Sequence, residues 1–292
     1  MRETIVAMYL TCALLLTGAL AFAQEETGTP APGPGQGEAP KGEIPPEPEG
    51  GPDPKSILGN GGFEEGKTHP VGWHEKDFEG FDGLTCFWEK RPDGKGMAVR
   101  VDTWVLLSEV YPRWELMKKT PPGERAPAAP KTEPEDKQKY QTVAGNDGVH
   151  VISDFVPVLA DWEYRLTVDV FSKKTGVKVF VDGYIVHRGR DRVIYRDQKG
   201  LGEEPAEKEF LGRWHRYSWL FHPTRKKDGT PLTPAPDKMR VKLFAYWPPG
   251  EVWFDNVSLV PSEKREKPTP DDIERPAPKK EEGDGGEKGE GK

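Results

Sequence analysis

The stretch Glu251-Val-Trp-Phe-Asp-Asn-Val-Ser-Leu-Val260 reads as a β-strand with a fault in its middle. Side chains alternate along a strand, so Val252 and Phe254 share one face while Val257 and Leu259 fall on the opposite parity. For all four to reach one core, the register must slip at Asp255-Asn256, as a β-bulge would make it. That slip aims a carboxylate at a fixed point beside the sheet. A second such point lies far upstream, where a Gly-rich turn in Leu58-Gly-Asn-Gly-Gly-Phe-Glu64 precedes Phe63 and Glu64. The two ends are therefore expected to close one sandwich around these acids.

Between them, short alternating runs recur. Met97, Val99 and Val101 oppose Arg100, Asp102 and Trp104. Trp162, Tyr164, Leu166, Val168 and Val170 oppose Glu163, Arg165, Thr167 and Asp169. Val177, Val179 and Val181 oppose Lys178, Phe180 and Asp182, and Val241, Leu243 and Ala245 oppose Lys242, Phe244 and Tyr246. Period-2 runs broken by Gly, Pro and Asp turns predict an all-β fold, an antiparallel β-sandwich over residues 56–262. No amphipathic helix and no internal repeat stand out. Residues 114–139, rich in Lys, Pro, Glu and Ala, are expected to form an inserted loop, disordered rather than a functional cover.

The flanks differ in kind. Residues 1–23 carry Arg2, an apolar run and a small-x-small ending at Ala21-Phe-Ala23, which predicts a signal peptide rather than a retained anchor. Residues 24–55 and 263–292 hold Pro, Gly, Glu and Lys with almost no large apolar groups, so disordered N- and C-terminal segments are expected. The mature chain is expected to be secreted, periplasmic or on the cell surface, without a membrane span. A net charge of −7 supplies no global basic field for nucleic acid. The local exception, His187-Arg-Gly-Arg-Asp-Arg192, reads first as an exposed hairpin tip and second as a site for an anionic glycan. Once the signal is removed only Cys86 remains, which excludes an intrachain disulfide and points to a buried small apolar residue.

Aromatic and charged residues on the polar parities are the candidates for binding. Trp104, Arg165, Tyr184, Trp219 and Tyr246 suit a sugar ring, whose C–H face stacks on aromatics while its hydroxyls need donors and acceptors. Trp73, Trp162 and Trp253 are expected to be core or packed against turns. Glu64, the Asp93-Gly-Lys turn and Asp255 supply hard oxygen ligands of the kind that suits Ca²⁺; capping of turns is the simpler alternative for Glu64 and Asp255. The sequence holds no nucleophile–base pattern and no zinc-spaced His pair, so no enzyme is expected.

Several of these motifs together resemble a known family. They are Asn60-Gly-Gly-Phe-Glu64, Pro70-Val-Gly-Trp73, Gly94-Lys-Gly-Met-Ala-Val-Arg-Val101, Trp214, Val241-Lys-Leu-Phe-Ala-Tyr-Trp247 and Val252-Trp-Phe-Asp-Asn-Val-Ser-Leu259. The set resembles the jelly-roll carbohydrate-binding modules of families 4, 9 and 22, within the galactose-binding-domain-like sandwiches. The resemblance implies a structural Ca²⁺ tying the first strand to the last, held by Glu64, Asp255, the carbonyl of Gly62 and oxygens of the turn from Asp93 to Lys95. It also implies an exported, non-catalytic module that binds a polysaccharide or other glycan by aromatic stacking. The alternatives are a structural or adhesive domain for an extracellular protein partner and, further off, part of a glycoside hydrolase system.

Overall fold

A computed structural model describes residues 48–201 and 211–264, with side chains up to Ser262. The signal peptide, most of the N-terminal linker and the C-terminal tail expected from the sequence lie outside the described residues. In chain order the elements are β1 (Trp73–Glu75), β2 (Cys86–Lys90), β3 (Met97–Asp102), α1 (Leu107–Met117), β4 (Val149–Ser153) and β5 (Val156–Pro157). They continue with β6 (Trp162–Ser172), β7 (Val177–His187), β8 (Arg190–Leu201), β9 (Trp214–Phe221), β10 (Lys238–Ala245) and β11 (Glu251–Lys264). Two antiparallel sheets form, one in the order β1-β4-β10-β7-β8 with β5 beside β10, the other in the order β2-β3-β11-β6-β9. This is the expected jelly-roll β-sandwich.

The core lies between the sheets and follows the alternation. Val99 and Val101, Leu166 and Val168, Val179 and Val181, and Val241 and Leu243 are all fully buried or nearly so. The last strand is faulted as its sequence requires. Its pairing with β6 slips between Asp255 and Ser258, Asn256 adopts a φ of 49°, and Val252, Phe254, Val257 and Leu259 are each 0% exposed. Each valine and leucine so placed contributes about 1.5–3 kcal/mol of burial. The chain ends meet as expected. Val257 N–H donates to the Gly61 carbonyl at 2.8 Å, and Ile57 N–H to that of Leu259 at 2.8 Å. The backbones approach so closely that a Cβ on Gly61 would lie 1.9 Å from the Val257 oxygen, so only glycine fits.

Four sequence expectations change. Residues 48–55 are hydrogen-bonded to the last strand rather than free, though largely exposed: Asp53 N–H donates to Ser258 Oγ at 2.7 Å, and Asn256 Nδ2 donates to the Gly50 carbonyl at 3.3 Å. A helix is present, α1, whose inner face is Val110, Arg113 and Met117. The spacing is helical, but the middle residue is an arginine and Pro112 adjoins it, so no apolar stripe shows in the sequence. The insertion over 114–139 is a packed cover, with Ala126 buried and Lys131 Nζ 2.6 Å from Asp102 Oδ2. Arg113 pins it from within, donating from Nε to the Asp82 carbonyl at 2.5 Å and from Nη1 to that of Pro127. Trp253 faces outward from β11, in a small cluster with Ala98, Trp214 and Phe171 on the far side of the second sheet.

Candidate functional site

The seam between the first turn and the last strand gathers Gly62, Glu64, Lys95 and Asp255 around one cavity of about 320 Å³, with Arg91 and Asn256. Sequence reasoning expected calcium here, and the residues present do not fit it. The cationic position beside the acids is filled by Arg91. Its Nη1 lies 2.5 Å from Asp255 Oδ2, and its Nε and Nη2 lie 3.0 and 2.9 Å from the two oxygens of Asp93. Glu64 turns to the Met97 N–H at 3.0 Å instead. No group of three or more His, Cys, Asp or Glu among the described residues is arranged to hold a metal. With a guanidinium and Lys95 in the same cavity, a divalent cation would meet repulsion where the resemblance implies attraction. Burial pushes the Asp255 carboxyl up to about 7, against the pull of Arg91.

The outer face of the first sheet is of a different kind. The strand registers set its outward side chains into rows crossing β4, β10, β7 and β8 in turn. One row reads His150, Phe244, Lys178; the next reads Ile152, Lys242, Phe180, Gln198; the next Arg240, Asp182, Arg196; the last Lys238 and Tyr184. The rings stack along it. His150 lies 4.2 Å from Phe244 at 12° between planes, and Phe244 lies 5.2 Å from Tyr246 at 7°. Basic groups cap the rings: Lys178 Nζ is 4.8 Å from the centre of Tyr246, Lys242 Nζ 4.2 Å from Phe180, and Lys238 Nζ 4.1 Å from Phe155. Such cation–π contacts hold both partners in place, and burial lowers the pKa of the Lys242 ammonium among them. Asp182, nearly buried, accepts both Nε and Nη2 of Arg196 at 2.6 and 3.0 Å and lies 3.4 Å from Lys242 Nζ. Burial, the nearby cations second, pulls the His150 imidazole down to about 3, so it is neutral on this face.

At the β1–β4 edge this face runs into a cavity of about 230 Å³ under α1, lined by Glu75, Lys76, Phe78, Trp114, Lys118 and His150 among others. Glu75 and Asp82 are buried together beneath it, and burial first, then Asp82, pushes the Glu75 carboxyl well up. Both acids accept from Trp114 Nε1, at 3.0 and 3.1 Å, and from Thr85 Oγ1, at 3.1 and 2.8 Å. Asp82 Oδ1 also accepts the N–H groups of Leu84, Thr85 and Cys86 at 2.7–2.9 Å. These acids anchor a loop and the insertion helix, and their oxygens are taken up in doing so.

The five binding residues expected from the sequence do not converge. Tyr184 and Tyr246 both belong to the first sheet's outer face, at opposite ends of the β7–β10 pairing. Trp104 lines a separate cavity with Asp102, Lys131 and Lys174. Arg165 is exposed on β6 in the other sheet. Trp219 packs its ring against the core and donates from Nε1 to Asp197 Oδ2 at 3.2 Å. The residues that sequence reasoning passed over are Phe180, Lys238, Arg240, Lys242 and Phe244. Their signal was present, since cations and rings occupy one parity of β10 from Lys238 to Phe244, but which sheet face remains open is not a property of one strand.

No family model matches the chain, and no curated protein matches it. Among solved structures it is similar to the enzymatically active domain of tailspike protein 4 from bacteriophage CBA120, at 8% identity and a TM-score of 0.39. The match covers 70% of this chain but only 21% of that one. It is also similar to a family 4 carbohydrate-binding module, at 9% identity and a TM-score of 0.35, over 70% of this chain and 99% of the module. A third is the CBM22-1 xylan-binding domain of Paenibacillus barcinonensis Xyn10C, at 9% identity and a TM-score of 0.33, over 68% and 90%.

Proposed function

We propose that the chain is an exported, non-catalytic module that binds a polysaccharide on the outer face of its first sheet. The observation that carries this reading is the aromatic row of His150, Phe244 and Tyr246 with Phe180 beside it, set among hydrogen-bonding cations. Rings stacked on one another turn their apolar edges outward, an ordered strip against which the C–H surface of a sugar can pack while the flanking groups answer its hydroxyls. Export rests on the signal-like residues 1–23, and no helix among the described residues is long and apolar enough to cross a membrane.

The test is a polysaccharide and glycan array probed with the wild-type chain and with Tyr246→Ala and Phe244→Ala. Retention of wild type, reduced about tenfold by either ring deletion, is the expected result; each lost stacking contact is worth on the order of 1 kcal/mol. Silence across the array would end the glycan reading and leave the fold as a scaffold for a protein partner.

A further inference from the structure

We propose that the ligand of this face is a uronate-bearing polysaccharide, its carboxylates seated on Lys238 and Arg240, with Lys242 adding charge beneath, and its sugar rings against the edges of Phe244 and Tyr246. The inference rests on the glycan reading above and names the class of glycan. Its basis is a charge imbalance on one face of an acidic protein. Among the described residues, β8 and β10 turn four cations outward by register, Arg196, Lys238, Arg240 and Lys242, against two carboxylates on β7 and β8, Asp182 and Asp191. Asp182 is buried under Arg196 and Lys242, and Asp191 is held at the rim by Lys238 at 2.6 Å. Positive charge therefore remains on the open surface.

The chain's net charge of −7 does not cancel this field, because exposed charges beyond about 8 Å are screened at physiological ionic strength. The positions are held in place. Arg240 Nε donates to Tyr184 Oη at 3.0 Å, and its guanidinium lies 5.1 Å from the Phe155 ring centre. A guanidinium fork so held matches a carboxylate edge-on.

Geometry also selects among polyanions. Alternate positions on β10 place successive cations about 7 Å apart in a single file. The rings lie at one end of that file, in line with it, as Phe244 and Tyr246 follow Lys242. A chain with one carboxylate per sugar keeps its C–H faces and hydroxyls for such rings. A heavily sulfated chain presents several charges per sugar, too many for one file of cations with Asp182 at its side.

The test is affinity electrophoresis and calorimetry of the full chain with polygalacturonate, alginate and glucuronoxylan. Fully methyl-esterified polygalacturonate, dextran sulfate and neutral β-glucan serve as comparisons. The expected result is binding to at least one uronate polymer, weakening with added salt. Esterification should abolish binding to polygalacturonate if that is the polymer bound. Lys238→Gln and Arg240→Gln should each raise Kd about tenfold with unchanged melting, while Arg165→Gln on the other sheet leaves Kd alone. Equal binding to neutral β-glucan or to the esterified chain would overturn the uronate and keep the glycan reading. Binding to dextran sulfate with none to the three uronates would overturn it in favour of sulfate. Binding to nothing would overturn both readings together.

Discussion

The two sheets of this sandwich turn nearly the same residue types outward, and their outer faces are not alike. On the second sheet the cations around the last strand are matched. Arg91 meets Asp255 and Asp93, Arg216 lies 2.7 and 2.8 Å from the oxygens of Asp169, and Arg100 reaches Glu89 and Glu251 at 2.7 and 3.0 Å. Its aromatics, Trp214, Trp253 and Phe171, close upon one another. On the first sheet the cations outnumber the acids, and the rings lie in a parallel row instead of a closed cluster. A surface whose charges are satisfied internally has little left for a ligand. A surplus of one sign beside ordered rings leaves groups that a ligand can use, which is why the proposed site is placed there. Composition alone does not separate the two cases; pairing does.

The contrast is most sharply broken at the seam. Arg91→Ala would leave Asp255 buried without its cation and Trp214 without its capping guanidinium, at a cost of about 3–5 kcal/mol. Denaturant unfolding measures it, and a loss under about 1 kcal/mol would show that the pair does not tie the seam. The first sheet should answer to pH instead. His150 titrates near 3 when folded and near 6.5 when unfolded, so its contribution is complete above about 6.5 and is lost as pH falls toward 3. The stability gap between wild type and His150→Phe should therefore shift by up to about 5 kcal/mol over that interval. Asp255, pushed up to about 7, acts in the opposite sense between about 4 and 7 in both proteins and drops out of the difference. A pH-independent gap would mean that the imidazole is not buried against Phe244. The smallest expected effect is that of chelation. With Arg91 serving as the cation of the seam, EDTA should leave Tm unchanged to within about 1 °C. A drop of several degrees, reversed by calcium, would put a metal back into that cavity.

Much of the scaffold was legible because burial imposes local rules. The parity switch across Asp255 and Asn256 announced a bulge, since four apolar side chains cannot face one core without it. The hairpin at Arg188-Gly189 was readable too, both residues taking positive φ of 52° and 74° between β7 and β8. The helix α1 was not, because an arginine stands where the apolar stripe should continue, only 5% exposed and answered by carbonyls from distant residues. The candidate site was half legible. Tyr184 and Tyr246 were picked out by parity, whereas Phe180 and Lys242 beside them looked like ordinary strand residues.

What the sequence determined by itself was the set of faces. Period-2 alternation assigns each strand an inside and an outside, and apolar burial is strong enough to enforce that assignment whatever the neighbours are. What only the tertiary structure decided was which outside is satisfied. Whether an arginine beside an aspartate is an internal clamp or part of a binding surface depends on groups brought together across long stretches of chain. Arg91 meets Asp255 across 164 positions, while Arg240 meets Tyr184 across 56 and has no carboxylate so near among the described residues. Electrostatic pairing is set by distance and burial in the folded molecule, and neither is written along a strand.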